Sequence, residues 1–273
     1  MRPGRASRAR QVSCLTRGRG RADRRCVISR LALITGAAAG LAKGIAVALA
    51  RDGCRVVLTA RPGGTPADAA LALAREHDPG ALAVAADLAD PAAAARVVAE
   101  IERERGPIEI LVHAVGPIVV KRFARSTPDE YRAMIDGNLG SAVALAFALL
   151  PGMRERRFGR LVYFGMNGSS VTLPARGMAL YGAAKAGVVT FARALALEEA
   201  SYGITVNVIE PGDIRDKDAG RHAARATAAN NPTGHAGSWE DVAAAVRFAI
   251  ADDHGFLNGM VLGVNGGLTE PHE

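Results

Sequence analysis

Aromatic rings are scarce in this chain. They make up 4% of it, with one tryptophan, four tyrosines and seven phenylalanines. Alanine and glycine are used heavily instead, which lets helices sit close on a sheet. Cysteine is scarcer still. Cys14, Cys26 and Cys54 are an odd set that builds no disulfide framework. A reducing, cytoplasmic setting is expected. Long apolar runs are lacking as well. None reaches the roughly 18 residues a membrane span needs. The best, 142–150, stops at Pro151 and reads as a buried helix. No membrane role is expected.

Acids are nearly missing from the first thirty positions, which hold ten arginines against Asp23. The whole chain carries +7, so taking away the leader's +9 leaves the body at −2. The basic balance therefore belongs to the leader. A basic surface for nucleic acid is therefore not implied for the body. Residues 1–28 have no hydrophobic periodicity and read as a basic disordered leader. No apolar stretch follows the charges, which argues against a secretory signal. An organelle transit peptide, a misassigned start and a basic tail for anionic partners share this composition.

The remainder, 29–273, reads as a single α/β domain. Apolar runs at 31–35, 55–59, 81–86, 109–113, 160–164, 204–209 and 260–264 predict about seven strands. Helical patterns at 41–51, 67–77, 91–105, 128–156, 177–201 and 239–251 separate them. The strands are continuously apolar, as parallel strands covered on both faces are. Alternating βα units imply a Rossmann-type doubly wound parallel sheet with helices on both faces.

Two stretches carry chemistry. The first follows the first strand: Thr35, Gly36, Ala37, Ala38, Ala39, Gly40, Leu41, Ala42. Glycines there allow a tight turn and let a pyrophosphate approach the helix N-terminus, whose amides favour anions. At the end of the second strand stands Arg61, with no acid to hold the ribose 2′-hydroxyl of NAD. An arginine accepts a 2′-phosphate, so NADP(H) is favoured over NAD(H), which stays possible. The second stretch is Tyr181 and Lys185, four apart on an Ala-rich helix and so on one face. A free phenol has a pKa of about 10, and a nearby ammonium draws it down towards use as a general acid. No His, Cys or acid spacing suggests a metal site.

With these motifs placed, 31–268 resembles the short-chain dehydrogenase/reductase family, most of all its 3-oxoacyl-reductase-type members. The family's T-G-x-x-x-G-x-G turn falls on Thr35 to Ala42. Asp87 and Leu88 match the acid and its neighbour at the adenine ring. Gly116 is what remains of an N-N-A-G segment in Leu111, Val112, His113, Ala114, Val115, Gly116. Asn138 matches the catalytic asparagine. Pro211, Gly212 and Ile214 match the turn beside the nicotinamide, and Val264, Asn265, Gly266, Gly267 resemble the terminal V-D-G-G. The family's serine lies thirteen before the tyrosine, which is Gly168 here. Ser169 is taken as the carbonyl ligand, with Asn167 as an alternative amide donor.

The resemblance implies hydride transfer between a nicotinamide and a carbonyl or alcohol carbon. Tyr181 would donate the proton, Lys185 would hold the nicotinamide ribose, Ser169 the carbonyl oxygen, and Asn138 a relay water. Substrate choice is expected from the polar segment 213–238, with Arg215, Lys217, Arg221, His222 and Arg225, and from an apolar wall at 117–125. The partner is a small carbonyl compound. Helices apolar on more than one side suggest a homodimer or homotetramer. Two other readings stay open: an NAD-linked alcohol dehydrogenase, and a cofactor-binding protein with little turnover.

Overall fold

The computed structural model describes residues 29–268. The leader lies outside them, as do Cys14 and Cys26. Seven parallel strands form one sheet: β1 (Leu31–Thr35), β2 (Arg55–Ala60), β3 (Leu82–Ala85), β4 (Ile108–His113), β5 (Gly159–Phe164), β6 (Ile204–Pro211) and β7 (Val261–Val264). Their order is β3-β2-β1-β4-β5-β6-β7. The fold is the single-domain Rossmann-type α/β sheet that the alternating pattern predicts. β1, β4 and β5 are buried along nearly their whole length, which is why they are mostly apolar, with Thr35, His113 and Arg160 as buried polar exceptions.

Helices cover both faces. α1 (Gly40–Arg51), α2 (Asp68–Arg75) and α8 (Trp239–Ile250) pack on one side around Ile34, Ile45, Leu49 and Val246. α3 (Pro91–Arg105), α5 (Ser141–Arg156) and α6 (Ala179–Glu199) pack on the other around Leu33, Leu111, Leu145 and Val188. Small residues permit close approach. A Cβ on Gly44 would stand 2.6 Å from the ring of Trp239, so the lone tryptophan seats α8 directly on the backbone of α1.

The expected helical region over 128–156 is present, with a π turn inside it. α4 (Pro128–Ile135) starts with a capping box between Thr127 and Glu130, and Asp136–Gly140 forms a π turn before α5 begins. That turn carries Asn138. Pro128–Arg156 and Ala179–Tyr202 are each long and apolar enough to cross a membrane by length and composition alone. Both lie on the sheet, with Ala142, Leu145 and Leu149 of the first and Val188, Ala192 and Leu195 of the second in the core. A short helix, α7 (Arg221–Arg225), sits inside the polar segment 213–238.

Strand order reverses between β1 and β4, and a crevice opens there above the strand ends, where such sheets bind ligands. The two turns that leave these strands touch: a Cβ on Gly36 would lie 3.2 Å from the Ala114 carbonyl oxygen.

Candidate active site

A cavity of about 760 Å³ fills this crevice. Gly36, Ala39, Gly40 and Leu41 of the first turn line it together with Met166, Asn167, Met178, Tyr181, Gly116, Lys185, Pro211, Gly212 and Ile214. Gly36 has φ +70° and Gly40 φ +66°, a left-handed backbone that suits glycine. Ala39 precedes α1 with no side-chain cap, and the first turn of α1 holds no acid. Its amides therefore face the cavity for an anion. This uncapped, glycine-lined cradle fits the diphosphate of a dinucleotide. Arg61 and Asp87 lie exposed just past β2 and β3, outside the cavity, with Leu88 buried beneath.

α6 brings Tyr181 and Lys185 to the cavity together, as their spacing requires. The Lys185 ammonium lies 5.7 Å from the tyrosine ring centre and donates to the Phe164 carbonyl at 2.9 Å. The electrostatics differ from expectation. Burial raises the Tyr181 pKa and lowers that of Lys185 to about 8, because desolvation disfavours both charged forms. The phenol is thus held protonated rather than drawn towards the phenolate.

Asn138 is fully buried. Its Nδ2 donates to the carbonyls of Pro117 (3.0 Å) and Met134 (2.9 Å), which fixes the amide's orientation. Its Oδ1 has no partner among the described residues. A Cβ on Gly116 would stand 2.3 Å from this oxygen and 3.1 Å from Lys185 Nζ. Gly116 is therefore where Asn138 and Lys185 converge, and the absence of a side chain there is a steric need.

The N-N-A-G segment is altered, yet its strands stay tied. His113 is buried opposite Thr35 in the β1–β4 register. Ser141 donates its hydroxyl proton to the Gly137 carbonyl at 2.8 Å, so His113 Nε2 donates to Ser141 at 3.0 Å. His113 Nδ1 then accepts from the Thr35 hydroxyl at 3.0 Å, and that oxygen accepts from the Ala114 amide at 3.2 Å. The chain of bonds runs from β1 through β4 to the turn that carries Asn138. Burial holds the His113 pKa down at about 3, with Lys185 adding to the effect, so the ring is neutral.

Ser169 is not brought to the cavity. It is 4% exposed, and its hydroxyl donates to Glu210 Oε1 at 2.7 Å while accepting from the Met166 amide at 3.1 Å. The Ser170 amide and hydroxyl also bond Glu210, at 2.8 and 3.1 Å. Asn167 lines the cavity instead. Of the basic residues after Gly212, Arg215 pairs with Asp213 and Arg221 with Asp241. Lys217 reaches the cavity and lies over Gly40, next to the ion pair of Lys43 with Asp218. Ile118 supplies the apolar wall. Glu210, Asn265 and Arg176, also at or beside the cavity, were missed from the sequence. An acid inside the apolar strand 204–211 was the one visible signal for Glu210.

A glycine turn at the reversal of a doubly wound sheet, faced by a tyrosine and a lysine one helical turn apart, defines a dinucleotide-binding oxidoreductase. The chain belongs to the short-chain dehydrogenase/reductase family: residues 36–269 match the family model described as "Enoyl-(Acyl carrier protein) reductase". It is 36% identical over 248 residues to the acetoacetyl-CoA reductase of Allochromatium vinosum, covering 88% of this chain and 99% of that one. It is 34% identical over 249 residues to the 3-oxoacyl-(acyl-carrier-protein) reductase FabG of Escherichia coli, covering 88% and 97%. Among solved structures it resembles a candidate 3-oxoacyl-reductase from Bacillus thuringiensis, with a TM-score of 0.81, 29% identity and coverage of 90% and 100%.

Proposed function

We propose that this protein is an NADPH-dependent ketoreductase that reduces a 3-oxoacyl thioester, or another ketone, to the alcohol. The observation that carries the reading is the meeting of Tyr181 and Lys185 with the uncapped Gly36–Gly40 cradle around one cavity. The relatives named for acetoacetyl-CoA and 3-oxoacyl reduction support the substrate class. A nicotinamide bound between the cradle and Tyr181 supplies the hydride. Tyr181 keeps its proton until oxygen gains charge, then gives it to the nascent alkoxide. Lys185 holds the nicotinamide ribose. The unpartnered Asn138 oxygen faces the same gap and takes a water that returns a proton through Lys185. Gly116, Pro211, Gly212 and Ile214 shape the nicotinamide end, Asp87 and Leu88 the adenine end, and Arg61 takes the 2′-phosphate.

The reading also makes the protein a cytoplasmic homo-oligomer, a dimer or tetramer. Phe147 of α5 (77% exposed) and Leu197 of α6 (84%) are the apolar side chains that support it.

The test is NADPH oxidation with acetoacetyl-CoA, longer 3-oxoacyl thioesters, quinones and small ketones. Tyr181→Phe should lower kcat about 10²–10⁴-fold and leave the NADPH Kd nearly unchanged. Wild-type speed in that variant would overturn the assignment. Arg61→Ala should weaken NADPH and spare NADH; equal NADPH binding in both proteins would remove the 2′-phosphate role. One observation favours a second reading, a cofactor-binding protein with little turnover: the Ser169 hydroxyl is engaged by Glu210. NADPH binding without turnover across the panel would select it.

A further inference from the structure

We infer that Asn167 is the amide that grips the substrate's carbonyl oxygen in this chain, and that Asn265 sets which end of that amide faces the cavity. The inference rests on the reductase reading and names the group that reading leaves open.

The starting point is a backbone donor, whose direction is fixed. The Gly267 amide donates to Asn265 Oδ1 at 3.2 Å, so the Asn265 side chain has one orientation. Its Nδ2 then donates twice, to Asn167 Oδ1 at 2.7 Å and to the Leu268 carbonyl at 2.8 Å. Both protons of that nitrogen are used. Asn167 is thus compelled to turn its oxygen towards Asn265, which leaves its own two amide protons pointing away from that contact. Among the described residues no acceptor takes them. Asn167 lines the cavity alongside Met178 and Tyr181.

The competing hydroxyls are committed elsewhere. Ser169 donates to Glu210 Oε1 and Ser170 to Oε2, and neither serine lines the cavity. Glu210 therefore engages both serine hydroxyls, and the asparagine clamp presents an amide. Preorganised donors of this kind stabilise oxygen as it becomes negative. The step balances without a bond to Asn167. Hydride adds to the carbonyl carbon, the Tyr181 proton goes to the oxygen, and the amide hydrogen bond tightens between those events. An aspartate at position 265 has no proton to give, so it would reverse Asn167 and point that residue's oxygen at the substrate.

The experiment uses the full chain and four variants: Asn167→Ala, Asn265→Asp, the double variant that combines these two, and Ser169→Ala. Two readouts are taken: kcat/KM for acetoacetyl-CoA, and the infrared carbonyl stretch of isotopically labelled acetoacetyl-CoA bound with oxidised cofactor. Asn167→Ala should lower kcat/KM about 10²-fold and return the stretch towards its value in water, with the NADPH Kd unchanged. Asn265→Asp should lose a similar factor. The double variant should lose no more than either single one, because both changes remove the same contact. Ser169→Ala should leave the stretch where wild type has it. A wild-type stretch in Asn167→Ala, or a stretch that moves in Ser169→Ala, overturns the inference. Additive losses in the double variant overturn the role of Asn265. Failure of the wild type to reduce any carbonyl compound would count against the reductase reading instead, and the stretch of the bound thioester would still decide on Asn167.

Discussion

Between β1 and β4 the buried polar group is a neutral imidazole; between β5 and β6 it is an acid side chain. His113 joins Thr35 to Ser141 and, through Ser141, to the π turn of Asn138. Glu210 takes donors from Ser169 and from both the amide and hydroxyl of Ser170, all on the loop after β5. The local logic is the same: a strand buries a polar group and the neighbouring segment satisfies it. The consequences are opposite. On the first side the network props a residue against the site, and on the second it pulls hydroxyls away from it. A buried hydrogen bond near a cavity thus says nothing of function until its direction is known.

The most forceful way to break this comparison is Glu210→Ala. It leaves the Ser170 amide and two hydroxyls without their acceptor. Each buried group so stranded costs about 1–3 kcal/mol, and the hydroxyls can rotate, so a net loss of about 3 kcal/mol is expected. Urea unfolding checks it. Unchanged stability would mean that the loop is held by something other than Glu210. Glu210→Gln keeps one acceptor oxygen and should lose about half as much.

Gly116→Ala probes the other side with a single methyl group. The new Cβ would fall 2.3 Å from Asn138 Oδ1, an oxygen held in place by two bonds from its own amide. Overpacking of this kind costs about 1–3 kcal/mol. The loss should come with weaker NADPH binding, because Lys185 shares the space. A variant with wild-type stability and wild-type Kd would show that Asn138 and Lys185 are less tightly convergent than described.

The contrast also explains what the sequence disclosed. Seven apolar runs marked the seven strands, and four-residue spacing marked Tyr181 and Lys185, because both signals are local in the chain. The π turn was hidden: its residues, Asp136–Gly140, sit within a pattern that reads as one helix. Ser169 was chosen by its distance from Tyr181 along the chain, yet the acid that captures its hydroxyl lies 41 residues away. Spacing along a chain does not encode which way a loop side chain turns. The tyrosine pKa was misjudged for a related reason. The Lys185 neighbour is visible in the sequence, but the burial that raises the phenol pKa is not.

The smallest effect at neutral pH belongs to His113, and it grows in acid. His113→Asn should cost only about 1 kcal/mol near pH 7, since Ser141 keeps its bond to Gly137 and Thr35 its bond from Ala114. Acidification separates the two proteins. The imidazole takes up a proton near 6.5 in the unfolded chain but only near 3 in the folded one, because burial and then the Lys185 charge oppose it. Between those values the unfolded state binds more protons, so wild-type stability falls as pH falls, by up to about 1.4 kcal/mol per pH unit from this group. The asparagine variant lacks that contribution. Its unfolding free energy should therefore decline less steeply than that of wild type between about pH 6 and about pH 4, and below the crossing point the variant should be the more stable protein. Urea titrations of both proteins across that window measure the two slopes. Parallel slopes would mean that His113 titrates alike folded and unfolded, and the neutral tie between β1, β4 and the Asn138 turn would have to be abandoned.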